Sequence, residues 1–220
     1  MLDLSRSESV MGNLDALKKC HVAVFGLGGV GGFVAEALVR SGVGELTIVD
    51  GDVVAPSNLN RQLLALNSTV GQKKVDVAEK RLLDINPDLI IHKKDLFFLP
   101  ENASQIDFTK FDFVADAVDT VTAKLELAAI MGDKIISCMG TGNRVDPTAL
   151  TIGDVFETSG CPLAKVMRKE LRARGINKLR VVYSKEIPVK TGDRTPGSVS
   201  FVPGAAGLVM AGEIIKILLK

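Results

Sequence analysis

Tryptophan is absent from this chain; tyrosine occurs once, histidine twice and cysteine three times. Cys20, Cys138 and Cys161 are odd in number and widely spaced, which excludes a disulfide framework. They form no C-x-x-C pair, so one chain cannot build a four-thiolate zinc site. Neither sign of charge dominates: 27 Lys and Arg stand against 26 Asp and Glu. Global attraction to nucleic acid or to a membrane is therefore not expected, and any basic surface has to be local. There is no run of about 18 apolar residues, and no charged start leading into an apolar segment and cleavage site. The expectation is a cytoplasmic protein with neither a membrane span nor a membrane partner.

What is present is enough apolar material, 46% of 220 residues, to bury one sizeable core. Residues 21–25 (HVAVF) form a β-branched run stopped by glycines, and residues 30–40 place Val30, Phe33, Val34, Ala37 and Leu38 at helical spacing. Further strands are expected at 46–49, 89–92, 113–118 and 134–139, with helices at 73–85 and 123–131. Apolar strands alternating with helices mean an α/β, Rossmann-like, mostly parallel sheet with helices on both faces. Beyond residue 145 the pattern shifts to strands at 150–155 and 179–184, a basic helix at 163–173 and a closing helix at 205–219. A polar Pro/Gly/Lys-rich stretch, 187–198, reads as a mobile loop. The whole is one domain, 1–220: a nucleotide-binding core (1–145) and an α+β extension (146–220) with some antiparallel strands.

Gly26, Gly28 and Gly31, with Gly29 in the same run (FGLGGVGG), satisfy G-x-G-x-x-G between a strand and a helix. Missing side chains there let backbone N–H groups and the helix N-terminus approach a phosphate. Asp50 ends the second strand at the spacing of a ribose-binding carboxylate. Nicotinamide and adenine nucleotides both carry phosphates and ribose, so the loop alone leaves the ligand open. The next segment is more selective, with Asp52, Asn58, Arg61 and Gln62 and then Lys74 at a helix start. Hydride transfer has no use for cations at the phosphates, whereas cleaving a triphosphate does: charge moving onto pyrophosphate is stabilised by Arg and Lys. Asp116 and Asp119 (DFVADAVDT) close a strand, where ligands of open sheets gather. Asp119 either binds the magnesium that bridges a carboxylate to a triphosphate or caps the following helix; Asp116 is in part structural.

FGLGGVGG, IVDGDVV, SNLNRQ, VGQKK, Asn86-Pro87 and DAVDT, in this order, resemble the ThiF/MoeB/ubiquitin-activating superfamily, which adenylates carboxylates with ATP. The resemblance implies that Gly26, Gly28 and Gly31 face the phosphates and Asp50 the ribose. Asn58, Arg61 and Lys74 would contact phosphates, with Arg61, Lys74 and Asp119 as the catalytic group and Asp119 holding Mg. Arg6 sits where members often place an arginine that reaches the neighbouring subunit's ATP site, which implies a homodimer; otherwise it is a terminal charge in solvent.

The segments from Gly140 to Ile176 and from Ser198 to the end resemble one branch of that superfamily, the tRNA threonylcarbamoyladenosine dehydratases. This implies ATP-dependent activation of the carboxylate of threonylcarbamoyladenosine in tRNA and its cyclisation, with a sulfur-transfer or cysteine desulfurase protein as a possible partner. Lys165, Arg168, Lys169 and Arg172 share one helical face, a candidate contact to the tRNA backbone or a merely solvated surface. Cys161 is either an ordinary helix-start residue or a nucleophile. Three other functions remain in play: activation of a ubiquitin-like sulfur carrier's C-terminal carboxylate, a nicotinamide oxidoreductase, and a non-catalytic scaffold.

Overall fold

The computed structural model describes residues 2–192 and 195–220. Strand β1 (His21–Phe25) is buried along its whole length, as an apolar run must be when both sheet faces are covered. It pairs in parallel with β2 (Glu45–Val49) and with β4 (Phe113–Asp116). β3 (Ile90–Lys94) adds to β2 and β5 (Ile135–Cys138) to β4, both parallel. β7 (Arg180–Ser184) continues the parallel sheet beside β5, and β6 (Leu150–Asp154) closes it antiparallel to β7. The order β3-β2-β1-β4-β5-β7-β6 is the mostly parallel sheet expected from the strand pattern, with one antiparallel pair at the C-terminal side.

Side chains alternate between the two faces, so the sheet has two cores. Val22, Val24, Leu46 and Ile48 meet helices α2 (Gly31–Arg40), α3 (Lys74–Ile85) and α6 (Phe201–Leu218). Ala23, Phe25, Val114 and Val181 meet α4 (Val121–Met131) and α5 (Pro162–Ala173). Helix α1 (Ser5–Met11) buries none of its own residues.

Several boundaries differ from the sequence reading. Strand β3 carries the polar sequence IIHKK because it is the sheet's edge, mostly exposed. Helix α6 starts at Phe201, ahead of the expected start at Ala205. Pro203 lies in its first turn, where the N–H it lacks would have had no helical partner. Against the expectation of no membrane-length segment, α6 is long and apolar enough to cross a membrane, with mean hydropathy 1.6. Half of that window is buried in the fold, against α2 and the sheet, which is the environment of a core helix. In the stretch 187–198, the described residues form neither helix nor strand, and 193 and 194 lie outside the described residues.

Candidate functional site

Strand succession reverses direction between β1 and β4: one half of the sheet is built outward through β2 and β3, the other through β5. At such a switch point the loops leaving adjacent strands turn to opposite faces and open a crevice at the carboxyl ends. Here it is a cleft of about 550 Å³. Gly26, Gly28 and Gly29 form its floor, Asp50 and Asp52 follow β2, and Asp119 follows β4. Asn58, Arg61, Gln62 and Lys74 close one side.

The loop's shape depends on its glycines. Gly26 adopts φ +85°, and a Cβ there would stand 2.7 Å from the Ala117 carbonyl oxygen. A Cβ on Gly31 would overlap the Gly26 carbonyl oxygen. Gly31 therefore permits the strand-to-helix turn and is not among the residues lining the cleft, although the motif had placed it facing phosphate. The Asp50 carboxylate accepts the Leu27 N–H at 2.6 Å and the Asp52 N–H at 2.8 Å, tying β2 to the glycine loop. Burial pushes the Asp50 carboxyl up, outweighing those hydrogen bonds and the nearby Lys74 ammonium.

Lys74 is 4% exposed; its Nζ donates to Asp52 at 2.7 Å and lies 4.0 Å from Asp50. Arg61 is held differently. Its Nη1 donates to the Ser57 carbonyl and to Asn60 Oδ1, each at 2.8 Å, and among the described residues no carboxylate pairs with it. The guanidinium is thus fixed by neutral acceptors and keeps its charge for an anion. Asn58 Oδ1 accepts the Ala55 N–H at 3.0 Å, bracing the turn that carries Arg61. Among the described residues nothing partners the buried Gln62 Oε1, hydrogen-bonding capacity that a bound polar ligand would take up. With a glycine floor, two cations and this orphaned amide, the cleft suits a nucleotide phosphate chain.

Asp116 and Asp119, three residues apart, have opposite environments. Asp116 is fully buried: both its oxygens accept from Lys124 Nζ at 3.1 Å, and it also accepts from the Ser137 hydroxyl. Asp119 is exposed in the cleft; its carboxylate accepts the Thr120 hydroxyl at 3.4 Å, and among the described residues no backbone N–H of α4 donates to it. Its carboxylate fits a hard divalent cation beside a triphosphate.

Sequence reasoning missed Lys124. The available signal was a lysine on the inward face of α4, in register with Leu127, Ala128 and Met131. Also unforeseen among the lining residues are Thr141, Ser198 and Pro203, and the segment Leu96 to Leu99, whose apolar side chains give the cleft a greasy end. Most of these residues come from irregular segments, where periodicity carries no information.

The remaining candidates lie outside the cleft. Arg6 is exposed on α1. Cys161 is buried at the N-cap position of α5. The basic face of α5 is divided. Lys165 and Lys169 stand at the surface, whereas Arg168 donates to the Thr158 carbonyl at 2.9 Å and to its hydroxyl. Arg172 lies over the Phe156 ring at 5.1 Å.

The ThiF family profile matches residues 5–220. A tRNA threonylcarbamoyladenosine dehydratase of Bacillus subtilis is 41% identical over 98% of this chain and 94% of its own length. One from Haemophilus influenzae is 40% identical over 73% of this chain, and the match spans 62% of that relative. Among solved structures, the Escherichia coli tRNA N6-threonylcarbamoyladenosine dehydratase in complex with ATP superposes with a TM-score of 0.93 at 31% identity, covering 98% of this chain and 93% of that one.

Proposed function

The chain belongs to the ThiF family, and from that premise we propose that it is an ATP-dependent dehydratase that adenylates the carboxylate of threonylcarbamoyladenosine in tRNA and promotes its cyclisation. The observation that carries this reading is the union, in one cleft at the sheet's switch point, of the glycine floor, Asp50, Arg61, Lys74 and Asp119. Relatives that match nearly end to end supply the substrate class.

ATP lies with its phosphates over Gly26, Gly28 and Gly29 and its ribose toward Asp50. The substrate carboxylate attacks the α-phosphorus, forming an acyl–phosphate bond as the α–β bridge breaks. The charge that moves onto pyrophosphate is met by the Arg61 guanidinium and the Lys74 ammonium, both already oriented. Asp119 would hold magnesium, which neutralises triphosphate charge when bound. A nitrogen or oxygen of the same substrate then attacks the activated carbonyl and expels AMP, which carries away the oxygen lost as water. Ring closure within one bound molecule needs no enzyme nucleophile, in keeping with a Cys161 that is buried and does not line the cleft. A second copy of the chain completes the site with Arg6, and Lys165 and Lys169 meet the tRNA backbone.

Incubating tRNA bearing threonylcarbamoyladenosine with the protein, ATP and magnesium, then measuring nucleoside masses, tests the assignment. Loss of one water from that nucleoside, with AMP and pyrophosphate released, is the expected result. Unchanged nucleoside, with pyrophosphate exchange supported instead by a ubiquitin-like carrier ending in Gly-Gly, would transfer the activity to the protein-carboxylate class.

A further inference from the structure

The chain has two histidines, far apart in sequence, and the fold brings both to one carboxylate. His21 opens β1, Glu45 opens β2 and His92 lies on β3. Register pairs His21 with Glu45 and His92 with Thr47, two residues along β2 from Glu45, so the three side chains share one face of adjacent strands. His92 Nε2 stands 2.8 Å from Glu45 Oε1 and His21 Nδ1 3.3 Å from the same oxygen. One ligand atom from each residue lies within 4.8 Å of the others. They line a second cavity of about 400 Å³, separate from the nucleotide cleft.

We propose that His21, Glu45 and His92 bind a divalent transition-metal ion, with zinc as the best chemical match, at a site that clips the first three strands together. Two imidazoles and one carboxylate are borderline N/O donors, and three protein ligands leave a fourth tetrahedral position for water. The support around them is that of a ligand set. His21 Nε2 lies 2.8 Å from the Thr47 hydroxyl; donating its N–H there leaves the Nδ1 lone pair facing Glu45. The Phe111 ring packs edge-on against His21 with centroids 5.0 Å apart, holding the imidazole in plane.

The cations at the rim are in part already paired. Lys93 Nζ donates to Asp76 at 2.8 Å and to Glu79 at 2.6 Å, and Lys110 lies 3.9 Å from Asp107; Lys94 also lines the cavity. The position in the sheet sets the role. His21 lies five residues before Gly26, about 16 Å at roughly 3.3 Å per residue, so the ion is too distant to touch the triphosphate. It acts on the stability of the β1-β2-β3 edge.

The test is calorimetric titration of the untagged, nucleotide-free full chain with zinc chloride, alongside Cys20→Ser to remove the thiol next to His21. Expected are one zinc per chain, unchanged binding in Cys20→Ser, and a thermal midpoint that rises with zinc. Thr47→Val should weaken binding about tenfold or more through loss of the supporting hydrogen bond. His92→Ala and Glu45→Gln should abolish it, while ATP-dependent tRNA dehydration by His92→Ala stays at the level of the unsubstituted chain. His92 is half exposed on the edge strand, so that variant retains the fold. Absence of saturable binding, or binding of unchanged stoichiometry and affinity in His92→Ala, would overturn the proposal.

Discussion

Gly28 and Gly31 belong to the same motif, yet alanine at each should do opposite things. A Cβ on Gly31 overlaps the Gly26 carbonyl oxygen and comes 3.2 Å from the Ala117 Cβ. The obstacle is backbone, so no rotamer change relieves it; the loop must move away from β4. Overpacking of this kind costs about 1–3 kcal/mol, and a rigid backbone clash sits at the upper end, about 3 kcal/mol. For a chain of this size that lowers the thermal midpoint by roughly 6–12 °C. At Gly28 a Cβ meets only Gln62 Nε2, at 3.8 Å, and φ is not positive. Gly28→Ala should therefore leave the midpoint within about 2 °C or raise it slightly, since alanine also restricts the unfolded chain. Its methyl stands on the cleft floor, where phosphate would approach. Loss of one charge-assisted hydrogen bond, about 1.5–3 kcal/mol, weakens ATP binding by roughly 10- to 150-fold. Differential scanning calorimetry and ATP titration on the two variants separate the effects. Equal midpoints for the two variants, or native ATP affinity in Gly28→Ala, would refute the division of labour inside the loop.

Other consequences are as direct. Arg61→Ala should cut pyrophosphate release with tRNA by at least about 100-fold with its circular dichroism unchanged, as expected for loss of transition-state charge stabilisation; turnover at the native rate would remove Arg61 from the mechanism. Replacing Lys165 and Lys169 together by alanine should weaken tRNA binding and lower the log–log salt slope by about one for each phosphate no longer neutralised, whereas ATP binding in the absence of tRNA should not change. Glu36, on α2, accepts from Arg40 and from Arg81 of α3. Burial pushes its pKa up, but the two guanidinium groups outweigh this and leave it below the usual value. A depressed carboxyl contributes stability above its unfolded pKa and loses it as pH falls through the folded one. Glu36→Gln should accordingly cost about 1 kcal/mol at pH 7, a cost that shrinks as pH falls through the depressed pKa of the folded carboxyl, measured by urea denaturation from neutral to acid pH.

How much of this was legible in the sequence follows from where each residue sits. The alternation of β-branched runs with helical spacing marks each inner strand because both sheet faces are buried, and β1 could hardly read otherwise. β3 is legible only by its isoleucines, since an edge strand needs no apolar continuity. Arg61, Lys74 and Asp119 stood out as charges at strand ends and a helix start, and the fold gathers them around one cleft. Arg168 had the same helical spacing as Lys165 and Lys169, but spacing does not reveal that the nearby turn offers it the Thr158 carbonyl. The pairing of His21 with His92 was invisible for a related reason: it depends on the register of strands far apart in the chain.

The Asp116–Lys124 pair shows why the cleft holds its shape. Both side chains are fully buried, and two desolvated charges rarely repay their cost by attraction alone; an apolar pair of equal volume is often as stable or more so. What apolar residues could not do is hold several polar groups at once. Lys124 Nζ also donates to the Cys138 carbonyl at 2.8 Å and lies 3.2 Å from the Ser137 hydroxyl, while Asp116 accepts the Val118 N–H at 3.2 Å. One ammonium thus joins the end of β4, the start of α4 and the end of β5. The turn it stiffens carries Asp119 into the cleft and presents the Ala117 carbonyl against which Gly26 packs. The glycine loop and the acidic loop meet there, so displacement of the Asp116 end would move the phosphate floor and the Asp119 carboxylate together. Stability given up in burying the pair is in this way converted into a fixed spacing between the groups that meet the triphosphate.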